Sequence, residues 1–415
     1  MKNQSQAPSP ESRAPVEYDI IIIGGGLAGA GLACALAESG ARIAVVEAVP
    51  FQAPEQPSYD DRGLALSLSS RSILESIRVW PEVSPHACPI RGIHVSDRGH
   101  FGFVRLHAGD IGADVLGYVV TARELGRALN IAIKVHENID VICPAQTTAI
   151  NPGAEGISLD LAAEGHNKTV QCKLLVAADG TRSDTCMRLG IQTSSKDYGQ
   201  TAIIANINTE KPHNNMAYER FTDSGPLALL PLIDLRCKMV FTVAAEEAGY
   251  YLNMEDAEFL EHAWSRFGRR LGRFTRVGNR NSYPLVLREA EQQVRDRVVL
   301  VGNSAHTIHP NGAQGLNLSL RDVAALAACL VPVLERGGDP GDRMVLENYL
   351  SLRRSDQRNI IRFTDGLATL FYNHQPVKVV VRNSAMLMMD LVPPLRRKLL
   401  SIIMGASPGL PAVVQ

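Results

Sequence analysis

Short unbroken apolar runs, each followed by glycine or an acidic residue, recur along this chain. That is the pattern of strands buried on both faces of a parallel sheet. The first is DIIII, residues 19–23, which leads into Gly24-x-Gly26-x-x-Gly29. An Ala- and Leu-rich stretch follows, predicted as a helix from Leu27 to about Ser39 and closed by Gly40. A second strand over residues 42–46 ends in Glu47, 23 positions after Gly24, near the spacing of about 20 at which a carboxylate meets a ribose hydroxyl. This order predicts a dinucleotide site. Gly24 serves the tight turn, Gly26 lets a pyrophosphate approach the backbone, and Gly29 lets helix and strand pack closely. Leu27 and Ala28 open the helix, whose N–H groups and dipole favour a phosphate.

Further on the pattern changes twice. Residues 61–67, DRGLALS, precede a helix from about Ser69 to Ile77; Arg62 is either a solvated loop arginine or a cation held beside the cofactor by the loop after the second strand. GIHVSD, HFGFVRL and LGYVV are strand-like, with Arg98-Gly99 suited to a hairpin turn. Thr121 and Glu124 form a capping-box pair at the start of a helix over residues 121–134. Strand-like runs at 140–142 and 156–161 flank a turn at Asn151-Pro152-Gly153. Another buried strand, 172–178, ends in Asp179-Gly180, where an open α/β sheet binds its ligands. From about 200 to 284 strand-like runs joined by turns, with one helix near 256–267, predict an antiparallel sheet. The parallel pattern then resumes with a strand at 297–301, a glycine-rich loop from Gly302 to Gly315, and an apolar helix from about Leu316 to Leu334. Residues 343–415 read as helical, broken at Pro393-Pro394.

These elements predict an α/β chain. A discontinuous Rossmann-like domain (17–80, 110–190 and 290–340) carries an inserted antiparallel substrate domain (81–109 and 191–289). C-terminal helices (341–415) and a polar, proline-rich leader (1–16) complete it.

Composition removes several classes of function. With 415 residues and a net charge of −1, nothing electrostatic points to nucleic acid. The seven cysteines include no C-x-x-C, which argues for a reducing compartment and against a zinc site. His306 and His309 are three apart in a loop without a third ligand, so no metal is predicted. No run of 18 apolar residues occurs, and no transmembrane helix is predicted. Residues 377–404 combine Val, Met and Leu with Arg396-Arg397-Lys398. They read as a helical cap on the core or as an interfacial contact with anionic lipid.

Three motifs in this order resemble those of the aromatic-ring hydroxylases, the flavoprotein monooxygenases with one FAD domain. In that family the G-x-G-x-x-G motif binds the ADP half of FAD, which maps to Gly24, Gly26, Gly29 and Glu47. The D-G-x-x-S-x-x-R motif maps to Asp179, Gly180 and Ser183, with Cys186 in the arginine position. The G-D-A-A-H motif is here Gly302-Asn303-Ser304-Ala305-His306, continuing through Pro310, Gln314, Gly315, Leu316 and Asn317 to Asp322. Asn303 replaces an aspartate that accepts a hydrogen bond from the ribityl chain, a bond that an amide oxygen can also accept. Arg123 is either a contact to the FAD pyrophosphate or a surface residue.

The chain further resembles the ubiquinone-biosynthesis hydroxylases over about residues 18–375, through DRGLALS, GPLALLPL (225–232) and YLSLRRSDQRNIIRFTDGLATLF (349–371). HVSDRGHFGFVRL (94–106) is most similar to the 2-polyprenyl-6-methoxyphenol branch, which shares both departures. The resemblance implies that NAD(P)H reduces FAD, that O2 adds at flavin C4a, and that its distal oxygen goes to an activated phenol ring. The substrate would be a polyprenylphenol, with other ubiquinone-biosynthesis proteins as partners in a complex. The expected location is the cytoplasm, extended to the inner face of the bacterial inner membrane if the C-terminus binds lipid. Two alternatives stay open: another enzyme on this scaffold, acting on a soluble aromatic or reducing a prenyl chain, and a non-catalytic FAD-bound subunit. No residue is assigned as a catalytic base.

Overall fold

The computed structural model describes residues 16–51, 53, 60–163, 165–371 and 375–405. The leader expected over residues 1–16 lies outside these except for Val16, which opens the first strand. Among the described residues the strands form three sheets.

In the first sheet Val16–Ile23 lies between His166–Ala177 and Ile43–Val46, parallel to both. Val298–Leu300 and Ile139–Ile142 extend it, also in parallel. The unbroken apolar run has a direct cause. Ile20 and Ile22 join the cluster shared with helices Leu27–Leu36, Ala122–Lys134 and Gly315–Leu334. Ile21 instead faces a second cluster with residues of Ala145–Pro152 and Ile157–Ala163. Each face of the strand is covered over Ile20–Ile23, so these four positions are all apolar. The helix after the glycine turn is α-helical to Leu36 and tightens to a 3₁₀ turn over Ala37–Ser39, ending at left-handed Gly40. The strand Ala145–Pro152 is an addition to the expected elements. Most of its residues are partly or fully exposed, which leaves little apolar signal to read.

The second sheet runs in the order His306–Thr307, Asn281–Ala290, Thr193–Thr209, Arg236–Ala244, Gly225–Pro231, Met216–Thr222, Gly92–Asp97, Phe103–His107. Neighbours on this path are antiparallel except Met216–Thr222 and Gly92–Asp97, which are parallel. One face packs Ile203, Leu227, Met239 and Phe241 against Phe259 and Ala263 of helix Asp256–Phe267. The other face roofs the cavity described below.

Residues 61–67, given no element from the sequence, contain a strand. Gly63–Ser67 is a strand, antiparallel to Gly117–Thr121, with Cys88–Ile90 on the far side of that partner. Five residues of mixed burial, paired with a strand far along the chain, carry too little periodicity to be read locally. Three helices close the chain: Arg343–Phe371, Pro376–Leu391 and Pro393–Ile403. The break falls at the expected proline pair, with Pro393 in the first turn of the last helix. One described segment, 311–334, is long and apolar enough to cross a membrane, but 72% of its 18-residue apolar window is buried inside the protein. It reads as the core helix.

A buried charge network ties that helix to its neighbours. Asp322, fully buried, accepts hydrogen bonds from His306 Nε2 at 2.6 Å, Arg353 Nε at 2.7 Å and Gln357 Nε2 at 2.9 Å. Arg321 and Arg353 both reach Asp356, at 2.9 and 2.7 Å. Burial alone would raise the Asp322 carboxyl, but His306 and Arg353 override it and hold it well below the ordinary carboxylate range. Such a depressed group contributes stability above its unfolded-state pKa of about 3.9, and the contribution is lost as pH falls through the folded value. Asp322→Asn leaves Arg353 buried with half its partners. It is expected to lower stability by about 3–5 kcal/mol, read from the urea midpoint, and to remove the share of that midpoint's acid sensitivity that this carboxyl contributes.

Candidate functional site

A cavity of about 600 Å³ separates the first sheet from the second. The loops leaving the carboxyl ends of Val16–Ile23, His166–Ala177 and Val298–Leu300 all reach it, through Gly26, Gly180 and Asn303. This is where an open α/β sheet binds its ligands. Two helices open into the same space. Helix Leu27–Leu36 begins at Gly26 and helix Gly315–Leu334 at Gln314, and neither N-terminus has a side-chain cap. Their first N–H groups and positive dipole ends are therefore available to an anionic or electron-rich ligand.

Of the residues singled out from sequence, Gly26, Leu27, Ala28 and Arg62 line the cavity at one end. Gly180, Asn303, Pro310, Gln314, Gly315, Leu316 and Asn317 line it from the other two loops. A Cβ on Gly315 would meet nothing within 4 Å, so that wall is open space. Asn317 is spent on the protein: its Oδ1 accepts from Ser67 N–H and Ser70 Oγ, and its Nδ2 donates to Ala65 and Ala313 carbonyls. It fastens the Gly63–Ser67 strand to the core helix, and its contact with the cavity comes with that task. Arg62 is ion-paired with Asp60 and lies over the Tyr283 ring.

The remaining residues stand behind the wall. Gly24 has φ +101°, and a Cβ there would lie 2.4 Å from the Ala178 carbonyl oxygen. A Cβ on Gly29 would lie 1.9 Å from the Gly24 carbonyl oxygen. Both glycines are required by close packing of strand, turn and helix. Glu47 accepts from Gly25 N–H at 2.7 Å and Val49 N–H at 2.8 Å, so it holds the glycine turn from beneath. Asp179 accepts from Ser304 Oγ and Thr185 N–H, while Ser304 Oγ accepts from Gly180 N–H. These bonds stitch the second motif to the third. Arg123 lies on the surface, ion-paired with Asp61 at 2.8 Å and outside the cavity lining. Cys186 is buried, its thiol raised by desolvation. A cation still stands at that turn, because Arg288 donates to the Thr181 carbonyl. His306 is committed to Asp322, whereas His309 Nδ1 accepts from Asn311 N–H.

The chain departs from sequence reading in what else faces the cavity. Asn311 lines it, with both amide atoms buried and unpartnered, and Gln314 Oε1 is in the same condition. Such orphaned groups fit a ligand rich in donors and acceptors. Glu219 and Lys238 line it from the second sheet; no motif marks them, and the only signal is that Glu219 shares strand parity with apolar Ala217 and Phe221. Away from these polar groups the walls are apolar, with Phe363, Leu367, Met386 and Met404 coming from the C-terminal helices.

Residues 17–364 match the FAD binding domain family. The ubiquinone hydroxylase UbiL of Rhodospirillum rubrum is 35% identical over 93% of this chain and 89% of that protein. The 3-demethoxyubiquinol 3-hydroxylase of Escherichia coli is 30% identical over 93% and 98%. The chain belongs to the FAD-dependent monooxygenases of this family. In fold it is similar to p-nitrophenol 4-monooxygenase from Pseudomonas putida, with TM-score 0.79, 17% identity, and coverage of 93% of this chain and 97% of that one. FAD is the cofactor of this monooxygenase, with NAD(P)H as reductant and O2 as co-substrate.

The residues present fit that group: two uncapped helix ends, an open glycine wall and orphaned amides share one cavity. Gly26→Val places a branched side chain at the helix end where a pyrophosphate must approach. The variant is expected to purify folded by circular dichroism, without flavin absorbance. Full flavin content would contradict this placement.

Proposed function

We propose that this monooxygenase hydroxylates the aromatic ring of a polyprenylphenol intermediate in ubiquinone biosynthesis, as does the 2-polyprenyl-6-methoxyphenol branch. The observation that carries the reading is the continuity of the cavity. It begins among phosphate-favouring helix ends and ends among Phe371, Met386, Met389 and Met404 of the C-terminal helices. A small polar aromatic would need only the middle of this space; a ring with an isoprenoid tail uses its whole length. The quinone-pathway names of the Rhodospirillum and Escherichia relatives support the same substrate class.

The chain's own groups divide the work. Gly26, Leu27 and Ala28 would receive the pyrophosphate, and Arg62, Gly180, Asn303, Pro310 and Gln314 would flank the rest of the cofactor. The N-terminus of helix Gly315–Leu334, through Gly315, Leu316 and the backbone of Asn317, would stabilise negative charge on an electron-rich ring. Glu47 and Asp179 would act through the turns they hold. Bound FAD supplies hydride acceptance from NAD(P)H and activation of O2. The apolar roof and C-terminal helices keep water from the reacting atoms. Expressed in bacterial strains each lacking one ring hydroxylase of the pathway, the protein is expected to restore ubiquinone only where polyprenyl-6-methoxyphenol accumulates. Rescue of a different strain would reassign the ring position. Rescue of none, with FAD still bound to the purified protein, would contradict the substrate class.

The tail also gives the C-terminal helices a task. Helix Pro376–Leu391 lines the cavity with Met386 and Met389 and presents Val377, Val380, Val381, Met388 and Leu391 outward. Exposed Lys378, Arg397 and Lys398 flank this apolar face. Apolar area beside basic residues suits an anionic lipid surface, from which a polyprenyl substrate would be drawn. Replacing Val377 and Val381 by Asp is expected to abolish binding to phosphatidylglycerol vesicles in a flotation assay. Unchanged flotation would leave the face without this role.

A further inference from the structure

The cavity face of the second sheet is apolar at Ala217, Phe221, Pro226, Ala228, Leu230 and Val240. Two charged residues interrupt it. Glu219 stands opposite Ala228 in the strand register, Ala228 stands opposite Val240, and Lys238 stands opposite Leu230. The three strands therefore turn Glu219 and Lys238 to the same face, on either side of Gly225–Pro231. Lys238 is 9% exposed and Glu219 is partly buried, and neither side chain makes a hydrogen bond to a described residue. An apolar residue at either place would cost nothing in desolvation, whereas a buried charge without a partner is expensive. Both groups line a cavity that opens to the cofactor end at Arg62 and Asn303.

We propose that Glu219 and Lys238 form the polar head of the substrate cavity, Lys238 holding the ring oxygen of a phenol and Glu219 accepting its proton during hydroxylation. This rests on reading the cavity as a phenol hydroxylase site. As the phenol oxygen pushes an electron pair into the ring, a ring carbon takes up the incoming oxygen atom as hydroxyl, and the O–H proton passes to Glu219. The dienone so formed loses its ring C–H as a proton and regains the Glu219 proton on its oxygen, giving the dihydroxylated ring. The second oxygen atom of O2 leaves as water, with its electrons from NAD(P)H. Lys238 offsets the negative charge on the ring oxygen while the proton is on Glu219.

The electrostatics of the pair agree with these tasks. Burial raises the Glu219 carboxyl to about 7, against the pull of Lys238. Burial lowers the Lys238 ammonium to about 8; Arg62 pushes the same way, while Asp60 and Glu219 oppose it. Of the other cations lining the cavity, Arg62 is ion-paired with Asp60 and Arg382 is committed to Asp97 at 2.9 Å. The Arg343–Phe371 helix offers apolar Phe363, Leu367 and Phe371. Glu219 is thus a base above about pH 7 and Lys238 a cation below about pH 8, which confines the competent state to a narrow band near neutrality.

The test compares wild type, Glu219→Gln and Lys238→Met, all loaded with FAD. Two measurements are made: hydroxylation of a short-tailed prenylphenol, and binding of 4-nitrophenol followed by the colour difference between its neutral and ionised forms. Glu219→Gln is expected to slow prenylphenol hydroxylation about 100-fold or more and to erase the acid limb of the pH profile. It should leave a nitrated prenylphenol, already ionised at assay pH, within a few-fold of wild type. Lys238→Met is expected to shift bound 4-nitrophenol toward its neutral form and weaken its binding. A Glu219→Gln enzyme that keeps its acid limb, or that loses both substrates equally, would overturn the assignment. Titration with 4-nitrophenol needs no turnover, so it separates the two claims. Binding that depends on Lys238 in a wild type unable to hydroxylate any phenol would overturn the hydroxylase reading alone. Wild-type hydroxylation unchanged by either substitution would overturn this assignment alone.

Discussion

Asp322 accepts from side chains on two other segments of chain, and the floor of the cavity depends on all three segments staying together. His306 belongs to the loop that carries Asn303, while Arg353 and Gln357 belong to the helix whose far end supplies Phe363 and Leu367 to the apolar wall. The carboxylate itself sits on helix Gly315–Leu334, whose first turn faces the cavity. Because every partner is buried, each can be satisfied only in this arrangement. A buried pair contributes modest net stability but a large penalty when broken, so the network acts chiefly to fix register among the three segments.

That fixed floor explains the unequal fates of the glycines and the acidic residues. Gly24 and Gly29 are dictated by backbone approach and never reach the cavity; Gly26 and Gly315 do reach it. Glu47 and Asp179 bond to backbone N–H groups of the turns they follow or flank. A motif in sequence thus mixes residues that touch a ligand with residues that shape the turn touching it. Cys186 can replace an arginine because its site is closed off by Ser304 and the short helix around it, where a thiol packs and a cation would need a partner. Asn303 keeps its place on the exposed rim of the cavity, where an amide can still accept or donate.

The parallel sheet was legible because residues 20–23, 43–46, 174–177 and 298–300 are covered on both faces and so read as unbroken apolar runs. The first glycine turn was legible because close approach of backbone at Gly24 and Gly29 excludes a side chain. Gly63–Ser67 escaped because its pairing is remote, and Ala145–Pro152 because solvent takes most of its side chains. Glu219 and Lys238 escaped for a different reason. A charged residue in a strand reads as solvent-facing, and only the tertiary arrangement shows that the space it faces is a cavity between the sheets. Arg123, read from the sequence as either a pyrophosphate contact or a surface residue, is exposed and ion-paired with Asp61.

The account turns on one claim, that a single cavity brings a flavin and a prenylated phenol together in a space closed to water. The most direct measurement supplies isotopically heavy O2 to the FAD-loaded protein with NAD(P)H and a short-tailed prenylphenol. The account predicts that consumption of NAD(P)H rises with the phenol and that the product carries one heavy oxygen per turnover. NAD(P)H consumption that yields only hydrogen peroxide, with no labelled ring at any phenol concentration, would contradict it.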